Sequence, residues 1–232
     1  PILGALADYQ NMKKKFFLFF MIIGVCGAVA FTLAPTWLTF LIFFIISRLG
    51  WSACNIFYDA MLIDVTTDER MDTISTYGYA FGYIGSCIPF IIGIALILTT
   101  PFGLDTITAT RISFLFTFLW WIVMSIPLFI HVKQEHYLQP RKDFVAHSFK
   151  RLGITFVKLK KDKKLLFFII GYFFFIDGVY TIISMATTYG AEVGIDTTLM
   201  IVALLITQFV AFPCAIIAGK LSKKVGAMKL IK

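Results

Sequence analysis

The chain has 232 residues, of which 59% are hydrophobic and only 15% charged, and it carries a formal net charge of +8. Soluble domains run nearer half apolar and a quarter charged, which argues against a water-soluble enzyme, because one core cannot bury this apolar excess. The basic balance would raise nucleic acid as a partner in a soluble protein; here it has first to be tested against membrane topology.

Taken in chain order, residues 1–7 are expected to be the last turns of a span that starts upstream. The opening at Pro1 and the lysine-rich close make the chain read as a piece of something longer. Six stretches then reach the roughly 20 apolar residues that a spanning helix needs: 16–34, 37–63, 73–98, 112–130, 165–187 and 197–218. Pro35 breaks the first pair, the 99–103 turn the third and fourth, and 190–196 the last two. No basic n-region precedes the first apolar stretch and no small-residue cleavage site follows it, so none reads as a signal peptide.

All but Arg48 and Arg111 of the 21 Lys and Arg fall in alternate connections, which the positive-inside rule places in the cytoplasm. Topology therefore accounts for the net charge, and no nucleic-acid partner is expected, since that role needs basic residues gathered on one folded surface. The 64–72 connection is acidic (Asp64, Asp68, Glu69, Asp72) and is cytoplasmic by parity, the rule counting cations alone. Cys26, Cys54, Cys87 and Cys214 all lie inside spans and read as packing residues rather than a disulfide framework.

Residues 131–164 form the one long connection and divide the chain into 1–130 and 165–232. Within it Val145, Phe149, Leu152, Phe156 and Leu159 recur at helical spacing, with Lys150, Arg151, Lys158 and Lys160 elsewhere. An amphipathic helix on the inner leaflet fits this pattern, and a solvated linker helix fits it equally.

Gly4-Ala5-Leu6-Ala7-Asp8, followed by Lys13, Lys14 and Lys15, is echoed by Gly219-Lys220-Leu221-Ser222-Lys223, followed by Lys224 and Lys229. Each copy is expected to end a span and open a short basic loop. With six spans between the copies and the long loop after the fourth, the chain resembles the major facilitator superfamily. There a G-x-L-A-D loop joins the second and third helices and a degenerate copy joins the eighth and ninth. The resemblance implies an all-α membrane protein, a partial major facilitator-type bundle running from the end of helix 2 to just past helix 8. It also implies a cytoplasmic gate at Gly4, Asp8, Lys13, Lys14, Gly219 and Lys223, with the acidic role confined to the first copy.

A narrower resemblance rests on Asn55 to Leu62, Gly78 to Gly85, Trp120-Trp121 to Pro127, and Asp177 to Ile182. These look like the vacuole effluxer branch related to autophagy and its bacterial relatives, although that branch has Asn at the Asp59 position and Pro near Ile63. What it implies is efflux of amino acids or similar small solutes, in the plasma membrane of a bacterium or the vacuolar membrane of a fungus. The superfamily's antiporter motif has Pro directly after a Gly in the 73–98 span; Tyr83 stands there, so antiport is not assigned.

Ionisable groups inside a bilayer are costly and tend to face a cavity or a partner. Arg48 lies mid-span, with Asn55 and Asp59 within about 20° of its line. Asp177 lies mid-span in 165–187, followed by Thr181 and Ser184 at helical spacing. These six are the candidate substrate and coupling residues, set against the alternative that they only lock helices together. In the superfamily the equivalent two helices line the central cavity, and protons are a candidate coupling ion beside the small-molecule substrate. Gly78, Gly82 and Gly85 read as a packing face.

An intramembrane enzyme would need a membrane histidine or a Gly-x-Gly-Asp motif; His131, His136 and His147 all lie in the long loop, and the motif is absent. His131 and His136 lack a third ligand and read as solvated, so neither a metal nor a cofactor is expected. No Walker-type loop supports an ATP-driven pump. A channel, receptor or scaffold is the alternative; the half-to-half repeat favours a secondary transporter working by alternating access.

Overall fold

A computed structural model describes residues 2–139 and 143–226. Pro1, and Lys229 at the tail of the second motif copy, lie outside the described residues. The chain folds into helices α1 (Ile2–Ala7), α2 (Met12–Thr32), α3 (Trp37–Ala60), the single turn α4 (Leu62–Val65), α5 (Met71–Thr99), α6 (Thr106–His131), α7 (Phe144–Lys161), α8 (Lys163–Glu192) and α9 (Thr197–Val225). The described residues contain no strand, only an isolated parallel bridge between Tyr9 and Leu138. Six helices (α2, α3, α5, α6, α8 and α9) are long and apolar enough to cross a membrane, one for each expected span. The protein is a multi-pass, all-α membrane protein.

Four boundaries differ from expectation by four residues or more: α2 starts at Met12 rather than 16 and α8 ends at Glu192 rather than 187, while α6 starts early and α9 ends late. α6 starts at Thr106 rather than 112, because the Asp105 carboxylate accepts the Thr108 N–H at 3.2 Å and the Thr108 hydroxyl at 2.6 Å, capping the helix in the polar region. α9 continues to Val225, past the expected 218. The second motif copy is therefore helix and opens no loop at Gly219, a correction to the expected pairing of the copies. Lys223 and Lys224 fall in the last turn of α9, where cations complement the carbonyl end of a helix. The first copy does end a helix, at Ala7, with Asp8 in the turn.

Packing is most extensive between α2 and α3, then between α5 and its neighbours α9 and α6. The α2–α3 pair meets backbone to backbone. A Cβ on Gly50 would stand 2.5 Å from the Gly24 nitrogen and 2.7 Å from the Phe20 carbonyl oxygen, and one on Gly27 2.9 Å from the Ser47 nitrogen. Close approach on small residues maximises dispersion contact where lipid removes any hydrophobic drive. The same device recurs with Gly93 against Ser113 between α5 and α6, and with Gly219 against Thr76 between α9 and α5. Where the end of α1, the start of α2 and the end of α3 meet, Ala7, Phe17, Met21, Cys54, Phe57 and Met61 form the buried apolar cluster. α8 packs sparsely, chiefly on α7 and α9, and among its described residues only Gly190 is buried. All four cysteines are free.

Candidate functional site

The most elaborate polar arrangement lies directly beside that apolar cluster, where the end of α1, the start of α2, the end of α3 and the end of α6 meet. It starts from the Asp8–Asn11 turn, in which Asn11 takes a left-handed conformation (φ 59°) and so aims the first turn of α2 back across α3. That puts Lys13 near a helix N-terminus, where a cation is disfavoured by the dipole. The cost is offset by its partners. The ammonium donates to the Asp64 carboxylate at 2.7 Å and to the Ala60 carbonyl at 2.9 Å, one of the free carbonyls at the end of α3. The pair is dry: the side chains are 3% and 0% exposed.

Asp64 holds its place because α3 breaks at Met61 and restarts as the one-turn α4, with the Asp64 N–H bonded to the Met61 carbonyl at 2.9 Å. Its second oxygen accepts the backbone N–H groups of Glu135 (3.1 Å) and His136 (2.8 Å), and the His136 ring stands 3.3 Å away. Burial alone would push this carboxyl up. The hydrogen bonds from Lys13 and from the His136 backbone, the Lys13 charge and the His136 ring outweigh burial, and the group is held below the usual carboxylate range.

The segment after α6 is thereby strapped across the start of the chain. Gln134 donates to the carbonyls of Ala7 and Tyr9, both at 3.1 Å, and accepts the Lys13 N–H. Leu138 bonds to the Asp8 carbonyl at 2.8 Å, and Lys14 reaches the Phe129 carbonyl at 2.9 Å. α7 adds a second layer: Ser148 donates to the Ala5 carbonyl, His147 shares a 2.9 Å hydrogen bond with the Tyr9 hydroxyl, and Arg151 pairs with Asp8 at 3.2 Å.

Of the expected gating residues, Asp8, Lys13 and Lys14 are in this node. Asp8 pairs with Arg151 of α7, and Lys13 pairs with Asp64, which reads from sequence only as part of an acidic loop. His136 is mostly exposed at its ring, as expected of a solvated histidine, while its backbone and one ring nitrogen face Asp64. Gly4 has open space where a Cβ would be, whereas Gly219 is packed tightly on Thr76, and nearby the Ser222 hydroxyl donates to Asp72 at 2.9 Å. Lys223 makes no ion pair among the described residues.

The mid-span candidates are dispersed. Arg48 lies exposed over the Trp51 ring at 4.4 Å, Asn55 is half-buried, and Asp59 is exposed. Asp177 and Thr181 are exposed, and Ser184 folds back to donate to the Tyr180 carbonyl. Arg48 and Asp177 form no ion pair.

The family described as "Vacuole effluxer Atg22 like" matches residues 1–65 and 63–230. The chain belongs to that family. Its relatives include the uncharacterized MFS-type transporter YxiO of Bacillus subtilis, 44% identical over 97% of this Atg22-like chain and 54% of YxiO. Autophagy-related protein 22 of Yarrowia lipolytica is 28% identical over 54% of the chain and 25% of its own length. Autophagy-related protein 22-1 of Aspergillus fumigatus is 26% identical over 57% of the chain and 23% of its own. The Atg22-like chain thus spans about half of the bacterial relative and a quarter of the fungal ones. No solved structure matches it.

Proposed function

We propose that this chain is the central part of a secondary transporter that exports amino acids or similar small solutes by alternating access. Residues 1–130 and 165–232 would belong to its two halves, and 131–164 would join them on the cytoplasmic side. The observation that carries this reading is the buried Lys13–Asp64 pair bound to the strap after α6. A dry, fully partnered ion pair makes or breaks as a unit, the bistable contact that a cytoplasmic gate needs. Gly219 and Ser222, the counterpart copy, brace α9 against α5 on the same face.

The solute class is the one that the family resemblance implies, and the span charges are compatible with it although they do not converge in this chain. An amino acid brings an ammonium and a carboxylate, and Asp177 and Arg48 on α8 and α3 offer the opposite of each, with Asn55, Asp59, Thr181 and Ser184 extending the polar surface. Asp177 is also the candidate carrier of a coupling proton. The name of the matched family and that of YxiO, a transporter, support the general reading.

The test is uptake of labelled amino acids into proteoliposomes of the full-length protein, with and without a pH gradient. Asp177→Asn, which removes the charge at nearly constant volume, is expected to abolish transport or its pH dependence while leaving insertion intact. Full transport with an unaltered pH profile would refute the role of Asp177; no uptake of any amino acid by the wild type would refute the solute class.

A further inference from the structure

α7 carries more surface than its contacts use. Its α1-facing side consists of His147, Ser148 and Arg151, already bonded to Tyr9, Ala5 and Asp8. A little over a third of a turn round the helix lies the apolar stripe of Val145, Phe149 and Phe156, with Leu152 and Leu159 half-buried along its edge. The two aromatic rings of the stripe are 51% and 59% exposed. From 143 to 164 the chain has seven basic and two acidic side chains, a surplus of five. One of the two carboxylates, Asp162, caps α8 by accepting the Leu165 N–H.

We propose that α7 lies with this stripe in an anionic phospholipid surface, the inner leaflet of the membrane that α8 crosses. Three observations choose this occupant over water or another protein. α7 is separated from the membrane-crossing α8 by Asp162 alone, so it lies at the level where α8 enters the lipid. One cation stands at the margin of the stripe, the Lys160 ammonium 5.1 Å over the Phe156 ring, the position from which a lysine reaches headgroups while its stem stays on apolar surface; Lys150, Arg151, Lys158 and Lys161 lie round toward the other side of α7. The charge surplus complements an anionic leaflet, whereas a solvated linker has no use for a continuous apolar stripe. The inference does not depend on which solute is carried.

The docked helix brings leaflet charge to the gate, because its opposite edge holds Asp8 and Tyr9.

The test uses the full-length protein in nanodiscs of phosphatidylcholine alone or mixed equally with phosphatidylglycerol. The probe is the reaction rate of Phe156→Cys, and separately of Phe149→Cys, with an uncharged polyethylene-glycol maleimide. Wild type supplies the blank, and Ile154→Cys on the far face of α7 the control. Both stripe cysteines are expected to react about tenfold more slowly in the anionic discs. High salt, or the combined change Lys158→Gln, Lys160→Gln and Lys161→Gln, should restore the rate. Equal reactivity in both discs would overturn the proposal in favour of a solvated helix, and equal protection in both would overturn it in favour of a protein cover. A matching fall at Ile154→Cys would also overturn it, since α7 would then have moved as a whole.

Discussion

Replacing Asp64 by Asn tests the node most directly. The substitution keeps the shape and the acceptor oxygen that faces the Glu135 and His136 N–H groups, but it leaves the Lys13 ammonium dry and without a counter-charge. Breaking a buried ion pair from one side costs about 3–5 kcal/mol, because the remaining charge is uncompensated. Lys13 keeps the Ala60 carbonyl, which favours the lower end, so about 3 kcal/mol is expected. At 1.36 kcal/mol per decade this raises the open population of the strap roughly 100-fold. The assay is amide hydrogen exchange over 132–139, where the His136 amide reports opening. Its protection should fall by about two decades in Asp64→Asn and stay unchanged in Asp68→Asn, an exposed neighbour outside the node. The double change Lys13→Met with Asp64→Asn removes the orphaned charge and should recover most of the loss. A fall under about threefold for Asp64→Asn, or a double variant worse than the single, would refute the reasoning.

The same amide gives a pH prediction. The Asp64 carboxyl is held lower in the folded chain than in the unfolded one, so its contribution is complete above the ordinary carboxylate value of about 3.9 and is lost as pH falls through the lower folded value. The His136 protection factor should therefore be flat through neutral pH and fall only in acid below about pH 4; a fall centred near neutrality would show that another group governs the strap. Gly50→Ala drives a methyl into the backbone of α2 and should prevent stable packing of α2 on α3, whereas Gly4→Ala, facing open space, should leave thermal stability in detergent unchanged. Gly219→Ala should destabilise by about 1–3 kcal/mol through its clash with Thr76, and Thr76→Gly should restore much of that in the same melt; no rescue would place the strain elsewhere.

The helices were legible because hydropathy and the positive-inside rule act on whole segments, and a span of this length tolerates errors of a few residues at either end. The largest errors, at Asp105 and at Lys223 and Lys224, sit where polar side chains extend a helix into the polar region. The motif copies were legible too, since glycine, an acid and a lysine cluster stand at fixed offsets. The partners were not. Lys13 and Asp64 are 51 residues apart, and joining them depends on the break at Met61 and on the left-handed Asn11, neither of which has a periodic signature. One available signal was passed over: an acidic connection placed on the same face as Lys13 invites pairing. The mid-span residues show the opposite case. Arg48, Asp59 and Asp177 stand out in an apolar sequence, yet the chain does not bring Arg48 and Asp177 together.

Helices that meet backbone to backbone across a short turn leave little for later neighbours to decide. α2 and α3 share the glycine contacts at Gly24, Gly27 and Gly50, and the 33–36 turn ends in Thr36, which caps α3 through the reciprocal bond with Thr39. Both helices are made before α5, α6 and α9, so they are expected to leave the insertion machinery as a hairpin already closed. α5, α6 and α9 would then assemble against a finished template, and Lys13 would meet Asp64 as soon as α4 is synthesised, long before the strap arrives to seal the pair from water. Biogenesis would thus run in the order in which the gate is layered, and a glycine lesion in this hairpin would reach the cell as a failure of membrane insertion and quality control before it was ever felt as a loss of activity.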